Sequence, residues 1–556
     1  MKKTIVIVLL MIFALLPLFA GGRNQQSSGA ADATAVTAAP GKFPLTSTKG
    51  ELTVLVVKPP YVSDLNDNIA AKWYEDYTNV HVNYIHTPYE GTRAATNLLI
   101  ASGEYPDIIM NSGLGTVDAM NYGNQGIIIP LNDLIDQHGS NFREAVKRIP
   151  EIPSAITMPD GNIYGLPNIN QAFHTFYNLK AWINEDWLKK LNLSTPTTTT
   201  QFANVLRAFK NQDPTGRGAV IPMMGYYASN PRTWPYVFLL NSFVYFNPND
   251  FLAMENGRVT FVANTDDFRE GLRYVAGLVS EGLIDRASFT QNVDQAKQIG
   301  TDPAGPRIGV FTDFVWWNFV GNNDDTPDKR AMNYVALAPL QGPKGVRYSP
   351  TMGTGFNLDW AHITDHAKDP VLAFRWLEGM YNDEATWVLQ LGVKGLMSAP
   401  ADRGALGINQ LPAIWKNTSS SLPSAAESPY YVPMFLGNRY SDLRLGEQYD
   451  WSDPLTYFMS EPKLYRETQE KYYPYRPKEG QFVPNVLHHT AQESNDVARL
   501  SEQINTYVQE NIVAFITGNK NIERDWASYT AEFQRLELNR YLQLKQTAYN
   551  RQYSKK

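Results

Sequence analysis

The sequence predicts an α/β protein built as two lobes, and three observations carry that prediction. The chain runs to 556 residues, more than a single hydrophobic core serves, since chains split into domains beyond roughly 250–300 residues. Between residues 52 and 110 strand and helix patterns alternate as β-α-β-α-β, the order of a parallel sheet with right-handed crossovers. After residue 216 a second block of the same kind begins, and a polar, weakly periodic stretch separates the two.

Taken from the start, Met1-Lys2-Lys3 is a charged opening, residues 4–19 are apolar, and Ala20-Gly21 offers a small-residue cleavage site. This is the pattern of a secretory leader cut after Ala20, and the apolar run is short for a membrane span. No later stretch is long and apolar enough to cross a bilayer. The expected location is the periplasm. The chain has no cysteine, which excludes disulfides, thiolate metal sites, cysteine nucleophiles and a lipid-anchoring cysteine at the cleavage point. A leader that stays uncut as an anchor is the other reading. Residues 21–49 are rich in Gln, Ser, Ala, Thr and Gly, the composition of a flexible tether.

Folding is expected to begin at Glu51. LTVLVV at 52–57 is a buried strand ended by Lys58-Pro59-Pro60-Tyr61. Ile69, Trp73 and Tyr77 share a helix face; Val80, Val82 and Tyr84 alternate as a strand; residues 92–102 are helical up to Gly103; and DIIM at 107–110 is a third strand. Ligands of such sheets sit beyond the carboxyl ends of the strands, here at Tyr61 and at Asn111-Ser112-Gly113.

The stretch from 160 to 216 links the two blocks. Asp160-Gly161 is a turn before a short apolar strand, and Asn168, Asn170 and Gln171 lie in a polar crossing that is expected to flex between 168 and 174. Residues 180–191 carry Trp182, Trp187, Leu188 and Leu191 at helical spacing. Thr198 and Gln201 mark a capping box, and Asp213-Pro214-Thr215-Gly216 stops the helix that follows.

In the second block, residues 220–224 form a strand running into Gly225-Tyr226-Tyr227. A helix at 267–281 is closed by Gly282, and a strand at 308–311 leads to Trp316-Trp317. Residues 334–340 are another strand, Gly353 to Leu358 a return crossing, and 367–382 a helix. Residues 400–480 are rich in Pro, Tyr and Ser and take no placement. Two helices, 493–517 and 522–549, end the chain. The lobes expected from this order are 50–170 plus about 350–415, and 171–349 plus about 416–556.

Composition narrows the function. Apolar content of 43% and charge of 19% describe an ordinary globular protein. A net charge of −6 argues against nucleic acid as a partner, because phosphate binding needs a basic footprint. Aromatic residues reach 12%, leaving flat faces that can stack on a ligand.

Several blocks in one order resemble the family 1 extracellular solute-binding proteins of ABC sugar importers, in the lipoprotein-like and alginate-binding branch. They are LIASGEYPDII at 99–109, GIIIPL at 126–131, DGNIYGLP at 160–167, WLKKL at 187–191 and EGLID at 281–285, then FITG at 515–518 and Asp525-Trp526. The resemblance implies the periplasmic-binding-protein fold: two α/β lobes joined by crossing segments, with a ligand cleft between them. Two departures stand out. The branch is usually lipid-anchored through a cysteine, which is missing here. Some members hold calcium in a loop after Asp-Pro, whereas Asp213 is followed by Arg217. Calcium takes about six to eight oxygens, so no metal is expected at this loop, and no cofactor elsewhere.

Sugars offer C–H faces and hydroxyl rims, which call for flat aromatics and planar amides. The candidate contacts are Tyr61, Asn111, Asn170, Gln171, Tyr226, Trp316, Trp317 and Asn357. All but Tyr61 carry a structural alternative: core packing for Trp316, Trp317 and Tyr226, and turn or capping roles for the amides. His362 and His366 stand four apart, a metal spacing on a helix. The surrounding sequence suggests a helix start with no third ligand, so a structural role is expected. His488-His489 is expected in a solvent-facing loop.

The expected function is capture of a carbohydrate, an oligosaccharide, and its delivery to an ABC permease in the inner membrane by a monomeric, non-enzymatic protein. The alternatives are a secreted glycan-active enzyme using two carboxylates, and a ligand-sensing subunit for a membrane receptor.

Overall fold

The computed structural model describes residues 35–553 apart from 60–61, 228–232, 323–324, 352, 420–421, 423–427, 434 and 453–459. The expected leader and the first part of the tether lie outside the described residues.

The first lobe is built on a five-stranded sheet. β1 (Gly50–Lys58) pairs in parallel with β2 (Val80–Pro88) and β3 (Ile108–Met110), as the alternating pattern predicts. Helix Ile69–Thr78 makes the first crossover, with Asn68 capping it by accepting from the Ala70 and Ala71 N–H groups. Helix Thr92–Ser102 makes the second and stops at Gly103, whose φ of 76° needs a residue without a Cβ. The sheet is mixed rather than wholly parallel. β4 (Leu166–Ile169) forms its edge, and β11 (Phe356–Ile363) returns from the second lobe to lie antiparallel between β3 and β4.

The second lobe carries a four-stranded sheet in the order β10-β5-β9-β6, where β5 is Ala181–Asn184, β6 Ile221–Met224, β9 Ile308–Thr312 and β10 Tyr334–Leu337. A hairpin of β7 (Leu252–Glu255) and β8 (Arg258–Phe261) adds to this lobe, and β12 (Ser398–Pro400) pairs with β13 (Trp415–Asn417). Each sheet has its own apolar core. Val54, Ile108, Phe374 and Trp376 pack in the first, and Trp182, Phe209, Val310 and Phe515 in the second.

Several expectations change in the structure. Residues 180–191 do not form one helix. Ala181–Asn184 is a strand between β9 and β10, and only Glu185–Lys190 is helical, with Asn184 accepting from the Trp187 N–H as its cap. Pairing on both sides overrides the helical spacing of the tryptophans. The helix expected at 367–382 is shorter, Pro370–Gly379, with proline in its first turn. The final helix is broken: Ile522–Arg535 and Leu538–Tyr553 meet at Glu537, whose φ is 56°.

Residues 35–49 are ordered against the first lobe rather than forming the loose tether that their composition suggests. Val36 and Thr46 make a bridge and Leu45 is buried. The guanidinium of Arg375 donates to the Ala38 and Ala39 carbonyls at 3.1 Å each. Arg375 is itself buried beside Glu378 at 3.5 Å. A buried cation needs acceptors for its donors, and the backbone of this segment supplies them to both terminal nitrogens of the guanidinium.

The stretch at 400–480 also finds a place. Leu436 and Tyr440 pack in the core of the first lobe, while Leu464 and Tyr472 pack in that of the second. Among the described residues no helix is long and apolar enough to cross a membrane.

Candidate ligand-binding site

The carboxyl ends of β1 and β3 open into a cavity of 310 Å³. Its lining includes Tyr89, Asn111, Asn168, Asn170, Asn357, Trp360, Phe435 and Arg439. Asn111 follows β3 directly, and its φ of 46° turns the chain as its N–H donates to the Trp360 carbonyl at 2.7 Å. Asn and Asp tolerate this left-handed conformation better than other side chains do. The Asn168 amide donates to the Gly437 carbonyl at 2.9 Å and accepts from Asn357 at 3.3 Å.

A second cavity of 620 Å³ adjoins the first and shares Asn170 and Asn357 with it. Its floor is formed by residues 353–358 and 483–487, and its far side by Asn247, Asn249, Asp250, His489 and Lys545. Lys545 lies 3.8 Å from Asp250. Burial pushes the Asp250 carboxyl up, against the pull of Lys545, and pushes His489 down to about 4. Neither ring nitrogen of His489 has a hydrogen-bond partner among the described residues.

Asn170 sits where the two cavities meet. Its backbone is tied down, donating to the Gly355 carbonyl at 2.9 Å and bridging to Arg439. Its side-chain oxygen is buried with no partner among the described residues. Unpaired buried acceptors are rare in folded proteins and call for an explanation. The residue itself lines both cavities.

The other candidates distribute unevenly. Tyr61 lies outside the described residues. Gln171 is taken up structurally, its Oε1 accepting from the Ser441 N–H at 3.2 Å. Trp316 belongs to the core: it is 3% exposed and packs edge-on against Trp182 at 5.2 Å and Trp317 at 5.1 Å. Tyr226 is buried too, its hydroxyl donating to Asp313 at 2.9 Å. Trp317 is half-buried at the start of helix Trp317–Val320. The neighbour Tyr227 is 55% exposed and stacks on Trp234. None of Gln171, Tyr226, Trp316 and Trp317 lines either cavity.

The histidines are not on a helix start. His362 lies on β11, with its ring nitrogens against the Tyr164 and Asp359 carbonyls at 2.8 and 3.0 Å. His366 stacks on Tyr105 at 4.0 Å. His488-His489 does not face solvent: His488 is buried, with Nε2 2.6 Å from the Ala155 carbonyl, and His489 lines the larger cavity. The final helix helps to cover the segment: the His488 N–H donates to Gln552 at 3.1 Å and Arg551 donates to the His488 carbonyl at 2.9 Å. In the Asp213 loop the carboxylate accepts from the Thr215 and Gly218 N–H groups at 3.2 and 2.6 Å, and Arg217 donates to the Gly305 carbonyl at 3.0 Å. No group of three or more acidic or histidine side chains suited to a metal occurs among the described residues.

Sequence reasoning missed Trp360, Arg439, Asp250, His489 and Lys545 as cavity residues. Asn247-Pro248-Asn249-Asp250 is a turn signal that could have been weighed. Arg439 lies in a stretch without periodicity and carried no signal.

A separate polar cluster lies beside the first crossing. His174 Nδ1 is 3.6 Å from Glu461 Oε1, and Arg444 donates to the same carboxylate. Burial opposes ionisation of Glu461, but His174 and Arg444 outweigh it and hold the group at about 2. Glu447 shares a 170 Å³ cavity with Arg439, Arg444 and Glu461. Burial, helped by the charge of Glu461, lifts it to about 7.

A two-lobed α/β frame with a polar cleft at the strand ends defines a class of ligand-capturing proteins, and the comparisons agree. Residues 59–387 match the bacterial extracellular solute-binding protein family, and the chain belongs to it. It is 29% identical over 552 residues to the fructooligosaccharide ABC transporter substrate-binding protein FusA of Streptococcus pneumoniae serotype 4, covering 95% of this chain and 94% of the relative. The solved structure of FusA in complex with kestose superposes with a TM-score of 0.72 at 26% identity, covering 91% of this chain and all of that one. A more distant relative is the polygalacturonan/rhamnogalacturonan-binding protein YtcQ of Bacillus subtilis, 22% identical over 50% of this chain and 52% of its own.

Proposed function

We propose that the chain captures an oligosaccharide outside the cytoplasm and delivers it to an ABC permease, acting as a monomer without catalysis. The observation that carries the reading is the Asn170 amide, held between two polar cavities with a buried oxygen that no described residue bonds. Membership of the solute-binding family and the likeness to FusA support it. Asp250 is the one carboxylate among the described residues lining the two cavities, whereas glycoside hydrolysis uses a pair of them. The leader at 1–20 would export the chain to the periplasm.

The lobes would close on the ligand by hinge bending at the crossing segments, because contacts from both lobes favour the closed state. Packing supports a first lobe of 35–170 plus about 350–445, and a second of 171–349 plus about 460–553. Trp360 is the stacking candidate, since it lines the smaller cavity, whereas Trp316 is enclosed and Trp317 lines neither cavity.

A thermal-shift screen over mono- and oligosaccharides tests the proposal. At least one oligosaccharide should raise the melting temperature, and Trp360→Ala should reduce that shift. Release of reducing ends from a glycan would replace this reading with an enzyme. Failure of every sugar to shift the melting temperature would refute it.

A further inference from the structure

The charges that face the two cavities are few and nearly self-cancelling. Asp250 and Lys545 lie 3.8 Å apart in the larger cavity and neutralise one another. His489 lines the same cavity, and burial with neighbouring cations keeps its ring uncharged at neutral pH. In the smaller cavity Arg439 is the single charged residue among those described. The remaining polar lining is dominated by seven asparagines across the two cavities. Tyr89, Trp360 and Phe435 supply flat apolar faces.

An amide carries donors and an acceptor together. A sugar hydroxyl is also both donor and acceptor, so an asparagine-lined wall can satisfy a row of hydroxyls in either direction. A carboxylate accepts only. A uronic-acid chain brings one such anion per sugar, and each would need a cation once removed from water. Arg439 is the single charged side chain lining the smaller cavity among the described residues, against one carboxylate on every sugar. An ion buried without its counter-charge is strongly disfavoured.

We infer that this cleft takes a neutral oligosaccharide and rejects chains bearing a carboxylate on every sugar. The inference rests on the sugar-capture reading and narrows it. Family membership does not decide the matter, since FusA is named for fructooligosaccharides and YtcQ for polygalacturonan.

The test is calorimetric titration of the purified chain with two panels matched in length. The neutral panel is kestose, maltotriose, xylotriose and cellotriose; the acidic panel is trigalacturonate and alginate trisaccharides. The expected result is binding to a member of the neutral panel, with every uronide weaker by roughly a hundredfold or more. The affinity for the neutral sugar should also change by less than about twofold between low and high salt, because screening acts on charge pairs and a neutral ligand forms none. Uronide binding as tight as or tighter than neutral binding, or an affinity that falls steeply with salt, overturns the inference while leaving sugar capture intact. Binding to neither panel overturns the capture reading beneath it.

Discussion

Replacing Asn170 by alanine should move stability and affinity in opposite directions. In the free protein its side-chain oxygen is buried and unbonded among the described residues, while its backbone bonds to Gly355 and Arg439 survive the substitution. A buried acceptor without a partner costs about 1–3 kcal/mol. Deleting it into a space flanked by cavities of 310 and 620 Å³ leaves little packing to lose. Asn170→Ala should therefore match or exceed the parent in stability, by up to about 1 kcal/mol. With ligand bound the amide gains its partners, so the same change should remove about 1–3 kcal/mol of binding, tenfold or more in Kd. Differential scanning calorimetry of the ligand-free protein and titration calorimetry with the best neutral oligosaccharide measure the two effects. A variant that is clearly less stable, yet binds with unchanged Kd, would show that the amide is structural and refute the reasoning.

Two further outcomes follow from packing and charge. Glu447 titrates at about 7 in the folded chain against an ordinary 4.5. Its raised value means that the folded state keeps a proton the unfolded state has released, so stability falls as pH rises across that window. Glu447→Gln should match the parent below about pH 4.5 and exceed it above about pH 7, by on the order of 3 kcal/mol; parallel stability curves across that range would sink the assignment. At Gly300, which ends helix Val293–Gly300, a Cβ would fall 2.0 Å from the Phe319 carbonyl oxygen. Gly300→Ala should lower stability by about 3 kcal/mol through forced backbone movement, read as a shift in the denaturant midpoint, and an unchanged midpoint would contradict the close approach.

Where the sequence was informative, the signal was local. The alternation from 52 to 110 foretold β1, β2, β3 and the helices between them, because period and capping depend on near neighbours. Asn111 was legible as a position at the end of β3, where it lines the smaller cavity, because a place at a strand end needs only strand order. Trp182 was misjudged for the complementary reason: its spacing fits a helix, and only pairing with β9 and β10 makes it a strand residue. Trp316 and Tyr226 carried the right chemistry for a sugar, yet an aromatic side chain reveals nothing of which way it points until its neighbours are placed.

By itself, then, the sequence determined the α/β class, the two-lobed order and the family. The tertiary structure decided the cleft. Arg439 meets Asn170 across the first crossing, and β11 inserts between β3 and β4. Lys545 faces Asp250 from the far end of the chain. Those contacts join residues hundreds of positions apart, and no periodicity records them. Which amides are bonded within the protein, and which are left open to a ligand, is settled by burial and geometry after folding.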